Sequence, residues 1–181
     1  SEAIGYSTED LLGLLQPGGT PEEWLLQLEA AIRQGAAKYG WSTPDPVSAR
    51  FEELAFTDPS ASISAFARDC GVEQRRLERI VRRDFGLAPK QVLRRARALD
   101  MASHLRGVAD ADEAEELILR YYDQSHLIRE FIELLGMTPR QFVASPQPLL
   151  TSALESRQAR RLELLHRIAP GAHRPWERDA A

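Results

Sequence analysis

Five arginines crowd a short stretch: Arg75, Arg76, Arg79, Arg82 and Arg83. Arg75 and Arg79 are four residues apart, so a helix would place them on one stripe. A guanidinium is always charged and presents a rigid fork of N–H donors. Several on one face suit a polyanion, because each can grip a phosphate or another acidic group in two places. Leu77, Ile80, Val81 and Phe85 recur at helical spacing and point to a core. That leaves Glu73, Gln74, Glu78 and the five arginines for the outside. By themselves these residues also fit a merely solvated basic face.

The whole chain does not advertise this chemistry. Its 181 residues carry a net charge of −4, which argues against polyanion binding by the protein as a whole. The average conceals a split. Between Ser62 and Arg106 there are eleven Lys or Arg against five Asp or Glu, a net +6. Between Gly107 and Val143 there are three against eight, a net −5. A basic block therefore sits beside an acidic one.

Other functional classes find little support. The chain has no glycine-rich phosphate loop, no Cys/His set at metal-ligand spacing and no nucleophile motif, so no enzyme is expected and no cofactor is implied. His126 lacks a second ligand at helical spacing. Cys70 is the only cysteine, which excludes an internal disulfide and suits a reducing cytoplasm. As a small residue before Gly71, it is expected to pack in a core. No apolar run approaches the roughly 18 residues that cross a membrane. The N-terminus is polar and acidic, unlike a secretory signal. The first residue is Ser1, so sequence can be missing upstream.

Breakers cut the chain into helices, and sustained period-2 alternation is absent. Ser7–Leu15 reads as a short helix ended by "QPGG". Thr20, Pro21 and Glu23 form a capping box that opens a second, with Trp24, Leu25, Leu28, Ala31, Ile32 and Tyr39 at helical spacing. "STPDP" at 42–46 is a linker. Val47–Phe56 is helical, and Ser62 caps a helix that ends at Cys70. Further helices are expected from about Glu73 to Asp84 and from Pro89 to Arg106. Leu149–Ile168 closes the set, with Leu150, Leu154, Leu162, Leu165 and Ile168 as its apolar stripe and "APGAHRPWERDAA" as a frayed tail.

One pattern occurs twice. "RRLERIVRRDFGLAPKQVL" at 75–93 aligns with "SHLIREFIELLGMTPRQFV" at 125–143, a spacing of 50 residues. Leu77 matches Leu127, Val81 matches Phe131, Gly86 matches Gly136 and Pro89 matches Pro139. A repeated helix-turn-helix unit is the simplest explanation. In the second copy Leu127, Phe131 and Leu134 should be core.

At these residues the chain resembles the AraC/XylS family of bacterial transcription regulators, over about Val47 to Val143. "CGVEQRRLERIVRRDFGLAPKQVLRRARALDMASHL" is similar to the family's first helix-turn-helix and linker helix. "YYDQSHLIREFIELLGMTPRQF" is similar to its most recognisable stretch. The resemblance implies an all-α fold: two helix-turn-helix subdomains, homeodomain-like three-helix units, joined by a long linker helix, with extra N- and C-terminal helices. The organisation would be a helical N-terminal segment at 1–46, the double domain at 47–143 and a C-terminal helix and tail at 144–181. Within the double domain, 47–88 is the first unit, 89–106 the linker and 107–143 the second unit. Each unit would put a helix into the major groove of double-stranded DNA. The linker, at roughly 1.5 Å per residue, is about 27 Å long. With the width of the flanking units, this approaches the roughly 34 Å of one DNA turn.

Carried over residue by residue, the resemblance puts Arg75, Glu78 and Arg79 of the first reading helix (about 73–84) at base-reading positions. It does the same for Gln124, Ser125, His126 and Arg129 of the second (123–134). Arg can pair with guanine, Gln with adenine, and Glu with the amino group of cytosine. Gln74, Arg76, Arg82, Arg83, Arg94 and Arg95 are the phosphate candidates. RNA polymerase is a partner the family implies. The terminal helices could dimerise the chain or pack on its core. Effector, operator and sign of regulation are not legible.

The second copy departs from the family at two places. Arg120 stands where a turn glycine is usual, and Glu116 where a small residue is usual. Glu130 and Glu133 add acidic charge within the reading helix. The first unit should therefore supply most DNA affinity, or the second unit could have become a protein-interaction module. If the family's turn is kept, Arg120→Gly relieves about 1–2 kcal/mol of left-handed strain and should raise the melting temperature by several degrees. A fall in thermal melts would show that this turn is built differently.

Overall fold

The structure is a computed structural model, and it describes residues 13, 18, 20–39, 44–109 and 124–176. The described residues form helices and no strands, as the all-α expectation requires. Two compact units are present, Ser1–Pro44 and Asp45–Ala181.

The first unit contributes helix α1, Pro21–Tyr39. Its start is the capping box read from the sequence: Thr20 N donates to Glu23 Oε2 at 2.8 Å, and Glu23 N to Thr20 Oγ1 at 3.2 Å. The expected apolar stripe is only partly covered. Ala31 is buried, whereas Leu28 and Ile32 are exposed. The Ser7–Leu15 helix lies almost wholly outside the described residues.

The second unit holds seven helices among its described residues: α2 (Pro46–Thr57), α3 (Ile63–Asp69), α4 (Gln74–Phe85), α5 (Pro89–Leu105), α6 (Gln124–Leu135), α7 (Pro139–Ala144) and α8 (Pro148–Leu164). Their boundaries follow local chemistry. Asp45 accepts from Val47 N to cap α2, and Ser62 accepts from Ala65 N to cap α3. Gly71, at φ +66°, makes the turn from α3 towards α4, and Val72 N closes it onto Ala67 O at 3.0 Å. Only glycine takes that left-handed conformation without strain.

Two cores divide α5 between them. Phe51 of α2 is fully buried against Phe66 and Phe85, with ring centroids 5.5 and 5.7 Å away in edge-to-face geometry. Leu77, Val81, Leu93 and Ala96 complete this first core, and Cys70 packs against it as expected. The second core gathers Ala102 and Val108 with Phe131, Phe142 and Leu154. The first half of α5 thus belongs to one helix-turn-helix unit and its second half to the other.

The C-terminal helix is part of this unit, not an appendage. α8 packs on both α2 and α5, and Leu154 and Leu162 are buried. The tail is not frayed where the sequence suggested: Trp176 packs on the second core, and Arg174 donates to Glu163 at 3.4 Å. At the centre of the α5–α8 contact lies Asp100, whose side chain is 0% exposed. Arg157 Nη2 reaches its Oδ1 at 2.9 Å, and Arg161 Nη1 reaches its Oδ2 at 3.0 Å. The Arg157 guanidinium also donates to the Ala55 carbonyl at 3.2 Å and lies over the Phe56 ring, so it ties α2 into the same knot. Burial pushes the Asp100 carboxyl upward from its ordinary range, and the charges of the two arginines pull it back. Removing one partner of such a buried group strands the others. Asp100→Ala should therefore cost about 3–5 kcal/mol in urea unfolding. Replacing all three by apolar residues of similar size should recover most of that. A single variant as stable as the parent would show that the ion pairs do not hold α8.

Candidate nucleic-acid interface

The 50-residue repeat is visible in the backbone. α4 ends at Gly86, φ +69°, and α6 ends at Gly136, φ +70°. Each is followed by the same helix start. Gln91 Oε1 accepts from Ala88 N at 3.1 Å, and Gln141 Oε1 accepts from Thr138 N at 2.9 Å. Leu77 and Leu127 are buried at matching positions, as are Val81 and Phe131. Leu134 and Phe85, both expected as core, are only partly buried.

α4 presents the array that the sequence suggested. Its buried face is Leu77, Ile80 and Val81. On the other side Gln74, Arg75, Arg76, Arg79, Arg82 and Arg83 are exposed, and Glu78 is half-buried, accepting from Gln74 Nε2 at 3.4 Å. Arg75, Arg76, Arg79 and Arg82 have no hydrogen-bond or ion-pair partner among the described residues. Arg83 differs from them. It donates to Asp84, and it lies 3.5 Å from Asp45. That hydrogen bond, aided by one from Ser48, holds the Asp84 carboxyl down at about 2. Arg95 on α5 is exposed and likewise has no partner among the described residues.

α6 is positioned by charge as much as by its core. Arg94, expected as a phosphate ligand, faces α6 and is engaged there: its guanidinium reaches Glu130 at 3.1 Å and Glu133 at 2.6 Å. Arg97 also grips Glu130, at 3.0 Å, and donates to the Pro59 carbonyl at 3.1 Å. A single side chain therefore joins the loop after α2, the linker helix and the second reading helix. The Glu130 side chain is only 16% exposed. Glu130 is therefore turned inward beneath two arginines of α5, whereas Glu133 stays exposed, as the sequence suggested, but is paired with Arg94. Further along α5, Arg106 lies over the Phe142 ring at 4.3 Å and donates to the Phe142 carbonyl at 2.6 Å, which fixes α7.

Of the second reading set, His126 and Arg129 are exposed. Gln124 and Ser125 begin α6, and their side chains lie outside the described residues, as do Arg120 and Glu116. Sequence reasoning missed Arg97 and the pairing of Arg94. A signal was present: Arg94 and Arg97 are three residues apart, as are Glu130 and Glu133, so two complementary pairs lie on helices that must meet.

Two helix-turn-helix units carried on one shared helix define the architecture of this unit. Residues 66–145 match a family model described as "Helix-turn-helix domain". The matched segment begins within α3 and ends just past α7, so it takes in α4, α5, α6 and α7. No curated protein and no solved structure matches the chain. No described helix is long and apolar enough to cross a membrane.

The bridge through Arg97 is open to direct measurement. A double-mutant cycle with Arg97→Met and Glu130→Met should give a coupling of about 1–3 kcal/mol, the range for contacting, part-buried charges. Additivity within about 0.5 kcal/mol would mean that α6 is held by its core alone.

Proposed function

We propose that this chain regulates transcription by binding double-stranded DNA sequence-specifically, with α4 as the principal reader in the major groove. The observation that carries this is the outward face of α4, where four arginines have no partner among the described residues although carboxylates lie on neighbouring elements. On this reading Arg75 and Arg79 pair with guanines, and Glu78 accepts from a cytosine amino group. Arg76, Arg82 and Arg95, with Gln74, hold phosphates on either side, which gives affinity and register but no sequence choice. Arg83 contributes less, being half-neutralised by Asp84 and Asp45. Arg94 serves by holding α6.

α6 enters a second major groove with His126 and Arg129 outward and Gln124 and Ser125 at its leading end, and adds to the site that α4 anchors. α5 has 17 residues, about 26 Å at roughly 1.5 Å per residue, which suits two grooves on one face of the duplex. RNA polymerase is the partner such a regulator would recruit, and α1, with Leu26, Leu28 and Ile32 exposed, is available for dimerisation.

Selection from a random DNA library with the full chain should enrich a defined motif, and binding to it should fall steeply with salt. Arg79→Ala should then weaken specific binding at least about tenfold, the value of one bidentate base contact, with helix content unchanged. Gel-shift titrations in which this variant matches the parent would sink the assignment of α4 as reader.

A further inference from the structure

The outward faces of the two reading helices are not alike. Helical pitch and the 50-residue repeat set Arg75, Glu78, Arg79 and Arg82 of α4 against Ser125, Ile128, Arg129 and Ile132 of α6. Ile128 is 39% exposed and Ile132 38% exposed, and one turn separates them on a single stripe. Two branched aliphatic side chains thus stand where the first helix has a carboxylate and a guanidinium.

Cations lie on the same helix and at the start of the next. Arg129 lies beside them, exposed and without a partner among the described residues. Arg140 is exposed at the start of α7, where the first unit has Lys90. Glu130 is turned inward under Arg94 and Arg97, and the exposed Glu133 is paired with Arg94, so each carboxylate of α6 already has a cation. An apolar stripe rimmed by cations matches one feature of the major groove. Thymine is the only base that presents a methyl group there, and the phosphates run along both sides.

We propose that Ile128 and Ile132 recognise thymine 5-methyl groups, so that α6 selects a thymine-containing half-site while α4 selects guanine. This rests on the reading above that α6 enters a major groove, and it adds what α6 recognises there. The first helix would discriminate by hydrogen bonds, and the second by apolar contact.

The test uses the full chain and the DNA site it selects from a random library. Each thymine is replaced in turn by deoxyuridine, which removes only the methyl group and keeps the base pair. At one or two thymines of one half-site, affinity should fall about fourfold per methyl, what burial of one such group is worth. In Ile128→Ala or Ile132→Ala that loss should vanish at the matching thymine, while sensitivity to Arg79→Ala in the other half-site persists. Both isoleucines are part-exposed, so a circular-dichroism melt near that of the parent should accompany the result. If no deoxyuridine position matters to the parent, yet Arg79→Ala still abolishes specific binding, the isoleucine proposal is overturned and the reading of α4 stands. If Ile128→Ala binds as the parent does and remains sensitive to every deoxyuridine, the stripe faces something other than DNA and the proposal again falls. Failure to enrich any motif would overturn both.

Discussion

A carboxylate with no access to water sets the terms for the rest of the second unit. Asp100 lies midway along α5, between the half that lines the first core and the half that lines the second. An isolated buried carboxylate is costly enough to melt a helix contact. Arg157 and Arg161 of α8 make it tolerable, and Arg157 then reaches back to the Ala55 carbonyl of α2. A buried ion pair adds little net stability over apolar residues of the same size. Its contribution here is better understood as register. Asp100 accepts both guanidiniums in one rotation and one height of α5 against α8. The directions of α4 and α6, which lean on α5, follow from that choice.

The parts legible in the sequence were those fixed by neighbours in the chain. Capping residues, turn glycines and the apolar spacing of α4 act within a few positions, so their pattern survives in one dimension. The repeat was legible for the same reason, because Gly86 and Gly136 make identical demands on the backbone. The Asp100 cluster was not, because its partners lie 57 and 61 residues away and look like ordinary surface charge on an amphipathic helix. Arg94 was assigned to phosphate on the same incomplete view: a cation's exposure is set by what packs over it, which spacing does not disclose. Trp176 in the tail joined a core because the second unit needs cover that α6 and α7 alone do not supply.

The two charge blocks also take on a different meaning in three dimensions. Read along the chain, a basic segment beside an acidic one suggests one half that binds a polyanion and another that repels it. In the fold, part of each block is consumed at the α5–α6 contact. Arg94 and Arg97 are drawn from the basic surface, Glu130 is turned inward, and Glu133 is paired at the surface. Neutralisation at that seam changes the local balance on α6 from acidic to mildly basic without altering the net charge of the chain. It also makes the orientation of the second helix depend on the same arginines that sequence arithmetic would count toward affinity.

An asymmetry between the readers follows. On the reading proposed above, the exposed arginines of α4 would give it a strong and salt-sensitive contact with a polyanion. α6 has one arginine and two isoleucines outward, and its placement is borrowed from α5 through Arg97. Long-range attraction scales with charge, whereas apolar contact acts only at touching distance and demands exact placement. On that reading the first helix would supply both capture and hydrogen-bonded discrimination, and the second would add discrimination by apolar contact. The linker α5 that carries both helices is tied to its neighbours by the Asp100 knot and by the Arg94 and Arg97 bridges.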